Sequence, residues 1–116
     1  SDLVWRTTVK KRLEAKLQDV KLSLQARMHE PLRQTAKWLW SVVQGYYQYF
    51  AVPGNRASLA KFRERICRYW RHVIERRSQR GRITASRAFR LFDRWIPRPT
   101  VLHPYPMQRF YAKHPR

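Results

Sequence analysis

Carboxylates are scarce in this sequence. Only seven occur: Asp2, Glu14, Asp19, Glu30, Glu64, Glu75 and Asp93. Polymerase and nuclease chemistry needs clustered carboxylates to hold two metal ions, and these seven stand apart from one another along the chain. Most have a basic neighbour at helical spacing, as Lys10 has Glu14, so surface ion pairs account for them. His29, His72, His103 and His114 are scattered, and Cys67 is the single cysteine, which gives neither a zinc-ligand spacing nor a disulfide framework. Cys67 falls within a helical apolar pattern, where a lone cysteine acts as a small core hydrophobe. With three glycines there is no phosphate-cradling loop, and no Ser or Cys nucleophile has a His positioned beside it. No catalytic residue, metal or cofactor is expected of this chain, which by itself is not expected to be an enzyme.

The abundant chemistry is cationic. Lys and Arg number 26, the formal net charge is +19, and such an excess would repel itself in a compact state without a polyanion nearby. At the same time 43% of residues are hydrophobic and 14% aromatic, which separates the chain from a disordered basic tail. A folded domain that sits on nucleic acid is the class these numbers define. The cations fall in rows: Lys10, Lys11, Arg12 and Lys16; then Lys61, Arg65 and Arg68; then Arg76, Arg77, Arg80 and Arg82. Neighbouring positions on a helix lie about 5–6 Å apart, close to the separation of successive phosphates, so these rows are the candidate phosphate-contacting residues. Such contacts supply affinity and salt dependence but little sequence reading.

Apolar periodicity supplies the elements that must carry those rows. Val9, Leu13, Leu17, Val20, Leu24 and Met28 mark one face of a helix over 8–28, capped by Thr7 or Thr8 after an extended lead at 1–6. Pro31 suits the first position of a second helix, continued by Leu32, Ala36, Leu39, Val43, Tyr47 and Phe50. The run Gly45-Tyr46-Tyr47-Gln48-Tyr49-Phe50 ends it; Tyr46, Tyr47 and Phe50 fall on apolar positions, leaving Tyr49 as the best candidate for an exposed ring. Pro53-Gly54 makes a reversal and Asn55 is placed to cap the next helix, 56–77, whose stripe is Leu59, Phe62, Ile66, Tyr69, Trp70 and Val73. After a basic loop, Thr84 caps a fourth helix, 85–95, with Ala88, Leu91, Phe92 and Trp95 inward and Arg87, Arg90 and Arg94 on the adjacent face. Five of the seven prolines lie from Pro97 onward, which excludes a regular helix there; Leu102, Tyr105 and Phe110 are its expected anchors. The expected fold is all-α: an antiparallel three-helix bundle with a short fourth helix at 1–96, and a Pro-rich extended extension at 97–116. No run of 18 apolar residues marks a membrane span, no signal-peptide layout opens the chain, and the absence of an initial Met reads as a cut end.

Several motifs, in order along the chain, carry a family resemblance. They are Arg6-Thr7-Thr8 with Lys10-Lys11-Arg12-Leu13; Arg27-Met28-His29-Glu30-Pro31; Trp38-Leu39; Gly45 through Asn55; Arg76-Arg77-Ser78-Gln79-Arg80; Pro97-Arg98-Pro99; and Leu102-His103-Pro104-Tyr105-Pro106. The chain resembles the maturase-specific domain, also called domain X or the thumb, of group II intron-encoded reverse transcriptases. It departs at Ala36, where that family often has Gly, and at Ala85, where Trp is common. The resemblance implies a helical thumb that closes over a template–primer duplex and grips intron RNA during splicing. The first helix would face the duplex minor groove, bringing Lys10, Lys11, Arg12 and Lys16 near RNA. It implies as partners the RNA and a fingers-and-palm polymerase domain of the same protein, and leaves DNA contact open. It places the protein in a ribonucleoprotein in a bacterial cytoplasm or an organelle. The alternative is a stand-alone structural RNA-binding subunit of a larger ribonucleoprotein, without splicing activity.

Overall fold

The computed structural model describes the backbone of residues 2–50, 55–78 and 81–99, with side chains from Thr8 onward. All regular structure among these residues is helical: α1 Asp2–Ala26, α2 Leu32–Tyr49, α3 Arg56–Arg77 and α4 Ala85–Trp95. The second, third and fourth helices begin and end within a residue of the positions that periodicity and turn signals specify. The first does not. It starts at Asp2, so no extended lead precedes it and neither Thr7 nor Thr8 is its cap. No Pro or Gly interrupts residues 2–8, and Thr costs only a few tenths of a kcal/mol inside a helix, so nothing stops the helix from running back past the threonines.

One apolar core joins the four helices. α1 contributes Val9, Leu13, Leu17, Val20 and Leu24; α2 Ala36, Leu39, Val43 and Tyr47; α3 Leu59, Phe62, Ile66, Cys67, Trp70, Val73 and Ile74; α4 Ala88 and Phe92. α1 packs against α3, and α2 against α4. Trp70 is fully buried, with its ring tilted against Phe92 at 6.3 Å. The i, i+3, i+4 recurrence of these residues is the reason each helix forms with one dry face.

The connections have more specific causes. Pro31 lies one residue outside α2, at its N-cap, and its carbonyl accepts from the Gln34 and Thr35 amides at 3.0 and 3.2 Å. Its extended ψ of 136° takes it out of the helical region. Asn55 also departs from expectation. It stands at the start of α3, but its side chain caps nothing there. It is buried, and its Nδ2 donates 3.2 Å back to the Phe50 carbonyl at the end of α2. Thr84 behaves as the sequence predicts, its hydroxyl accepting from the Arg87 amide at 3.2 Å. Gly81 has φ +79° in the turn before α4, a conformation that side chains rarely adopt. The Pro53-Gly54 reversal, Arg80 and the tail anchors Leu102, Tyr105 and Phe110 lie outside the described residues.

Candidate nucleic-acid interface

The predicted cations divide into two groups once their partners are traced. Lys10, Lys11, Arg12, Lys61, Arg68, Arg76 and Arg82 are exposed. Lys16 is half-buried, its ammonium 5.7 Å from the centre of the Tyr46 ring. Arg65 and Arg77 are already engaged within the fold. Arg65 pairs with Glu14 of α1 and donates 2.9 Å to the Tyr69 hydroxyl. Those two partners, Tyr69 first, hold its guanidinium further above the ordinary range. Arg77 donates 2.7 Å to the Glu30 carbonyl, tying the end of α3 to the joint between α1 and α2.

A groove of about 510 Å³ runs between α1 and α3. Val9, Leu13, Leu17 and Phe62 line it on the apolar side, Lys10, Lys61 and Arg65 supply its cations, and Glu14 is the one carboxylate among its lining residues. Lys10 and Lys61 therefore stand on opposite helices across one trough, which spacing along either helix alone could not reveal. Arg68 belongs elsewhere. It lines a second groove, between α3 and α4, with Arg63, Arg71, Phe89 and Asp93. The row Lys61, Arg65, Arg68 is a crest separating two grooves, and each flank carries its own cations.

Two further arginines of α3, Arg63 and Arg71, are structural. Arg63 reaches the end of α4: its Nε and Nη2 donate to the Ile96 carbonyl at 3.2 and 2.9 Å, and Nη2 also to Phe92 at 3.2 Å. A cation there satisfies carbonyls that the helix leaves unpaired and complements its dipole. Arg71 donates 3.1 Å to the Ile83 carbonyl while Glu75 accepts 3.0 Å from the Ile83 amide, clamping the turn before α4. At the other joint Glu30 accepts from Arg27 at 2.8 Å and from the buried Thr35 hydroxyl at 3.2 Å. The Arg27 guanidinium in turn lies 4.3 Å from the Trp38 ring centre.

The aromatic run sorts as its spacing implies. Tyr47 and Phe50 are buried, Tyr46 is half-buried and Tyr49 is 67% exposed. The Tyr47 hydroxyl donates 2.7 Å to the Pro97 carbonyl, and burial raises its phenol above the usual range. Burial likewise pushes the Cys67 thiol up to about 11, which makes it an unreactive core group. Among the described residues no set of three His, Cys, Asp or Glu is placed to hold a metal ion, and no helix is long and apolar enough to cross a membrane. Lys37 and Arg94 are exposed cations outside the predicted rows. With Trp40, Ser41 and Trp95 they line a further hollow beside α2. The available signal was Lys37, Ser41, Gly45 and Tyr49 recurring every four residues.

Fold and surface together define a strongly basic helical bundle. Comparison with protein-family models, with curated proteins and with solved structures finds no match to this chain.

Proposed function

We propose that this chain is an RNA-binding thumb domain of the maturase type, working beside a polymerase domain as in group II intron reverse transcriptases. In this reading α1, α2 and α3 form an antiparallel three-helix bundle with α4 as a short fourth member. The groove between α1 and α3 receives the RNA backbone. The observation that carries the reading is the pair of exposed cations on the two sides of that trough, Lys10 on α1 and Lys61 on α3, for which the described residues supply no ion-pair partner. Motifs in family order from Arg6 to Pro106 give the narrower attribution. A-form RNA presents a wide, shallow minor groove that is read by shape and 2′-hydroxyls, which suits helices rich in Lys and Arg. The polymerase carboxylates belong to the partner domain, and the thumb contributes grip and placement.

The test is a Lys10→Ala, Lys61→Ala double variant, titrated with structured RNA across a salt series. Arg65 is left intact because it pairs with Glu14. Affinity should fall, and the slope of log affinity against log salt should flatten by about one for each phosphate that is no longer neutralised. Circular dichroism and the melting temperature should stay close to those of the parent, because exposed positions change stability by about 0.5 kcal/mol at most. Unchanged affinity and slope would remove α1 and α3 as the RNA-facing surface.

A further inference from the structure

The face of α2 that turns away from the core has a composition that packing does not explain. Lys37, Ser41, Gly45 and Tyr49 recur at intervals of four and are all exposed, so they form one stripe along the helix. At 1.5 Å per residue that stripe is roughly 18 Å long. Beside its C-terminal half lies a groove of about 690 Å³ between α1 and α2, lined by Arg12, Lys16, Gly45, Tyr46 and Tyr49 among others. Beside its N-terminal half lies the hollow of about 490 Å³ lined by Lys37, Trp40, Arg94 and Trp95. Ser41 lines both, so the two adjoin at that residue.

Three features say what fits there. The first is charge: Arg12, Lys16, Lys37 and Arg94 border the face, and no carboxylate lines either hollow. The second is the aromatic surface. Tyr49 is 67% and Trp40 44% exposed, and Tyr49 is held edge-on against Phe50 at 4.8 Å, so its outer side is a preformed platform. The third is Gly45. Glycine inside a helix is unfavourable, and here a Cβ would meet nothing within 4 Å, so no packing contact requires it. Its effect is to leave the groove open beside Tyr49. Aromatic platforms inside a cationic border are the design by which proteins hold single strands, bases stacking on rings and phosphates following the cations. A second copy of this chain, at +19, is repelled by that border.

We propose that this face of α2 binds a short unpaired stretch of RNA, with bases stacked on Tyr49 and Trp40 and phosphates along Arg12, Lys16, Lys37 and Arg94. The proposal rests on the RNA-binding reading above but uses a different surface from the α1–α3 trough. The domain would thus grip paired RNA on one side and an adjoining loop or end on the other.

Two RNA probes separate the two ideas: a blunt duplex and an unpaired oligonucleotide of about eight nucleotides, within the range single-strand binders occupy. The oligonucleotide carries 2-aminopurine, whose emission is quenched when it stacks. Tyr49→Ala should weaken binding of the unpaired probe roughly 5- to 150-fold, the effect of removing one base–aromatic stack, and abolish the added quenching. Duplex affinity and the melting temperature should not change. Gly45→Gln should obstruct the groove and weaken the unpaired probe while raising the melting temperature. If the parent binds the duplex but not the oligonucleotide, or if both variants bind the oligonucleotide as the parent does, this assignment fails and the α1–α3 reading stands. An equal loss on both probes in Tyr49→Ala also overturns it. Failure of the parent to bind either probe overturns both.

Discussion

Arg63 illustrates how a single side chain changes meaning on folding. Counted along the sequence it is one more cation on a basic helix; in the fold its side chain is only 14% exposed, and it donates to the helix-end carbonyls of Phe92 and Ile96. Hydrogen bonds to charged groups are worth about 1.5–3 kcal/mol, and removing the donor leaves the acceptors without a partner. Arg63→Ala should therefore destabilise the domain by roughly 2 kcal/mol, and Arg63→Lys should restore only part of this because a single ammonium lacks the planar fork. Chemical denaturation measures it. A loss of under about 0.5 kcal/mol, the level of an ordinary surface site, would mean that the carbonyls find water instead. The same distinction applies to Arg65, Arg71 and Arg77. Each pairs within the chain, so fewer cations are free for an outside partner than the composition implies.

At the scale of elements, the joints between helices are more specific than their lengths suggest. The joint between α1 and α2 is a small polar network: Glu30 takes Arg27 and Thr35 through its carboxylate, and Arg77 through its carbonyl. This gives the run from Arg27 to Pro31 a structural role that needs no RNA contact. The turn before α4 depends on Gly81 at φ +79° and on the Arg71–Ile83–Glu75 clamp. A Cβ at Gly81 would meet no atom within 4 Å, so the whole cost of Gly81→Ala is backbone strain. That cost should be about 1 kcal/mol, with duplex RNA binding unaffected. Thermal melts and duplex titration together check it; an unchanged melting temperature would show that the turn relaxes to negative φ. Helical periodicity located α3 and α4 correctly because their signals are local. It misplaced the start of α1 because two threonines can serve either as a cap or as interior residues, and nothing in their identity chooses between these roles.

For the whole molecule, charge is the dominant fact. The five ion pairs among the described residues leave the net +19 of the chain uncompensated. Self-repulsion should hold the free domain below the stability its core could give, and screening should relieve it. Raising salt from about 50 to about 300 mM shortens the Debye length from roughly 14 to roughly 6 Å. That change should raise the melting temperature of the free domain, by about 4–8 °C for each kcal/mol of repulsion removed. It should also weaken RNA binding. The two salt dependences have opposite signs, and a melting temperature that falls with salt would show that the ion pairs outweigh the repulsion.

How much of this was legible beforehand follows from the range of each interaction. Helix number, the apolar stripes, the burial of Leu17, Ile66 and Trp70 and the exposure of Tyr49 are consequences of residue type at a period of 3.6, a property of the sequence itself. The charge excess and the class of partner it favours are likewise matters of composition. What only the tertiary structure decided are the meetings between residues far apart in the chain. Lys10 faces Lys61 across one trough, Arg63 caps the end of a helix that begins at Ala85, and Arg68 lies in a different groove from Lys61 although both stand on one helical stripe. Periodicity specifies which face of a helix turns inward, but not which neighbour each flank of that face will meet. That depends on how side chains of all four helices interlock in the core, and so the cations left exposed could be told from those that hold the fold together only once the helices were packed.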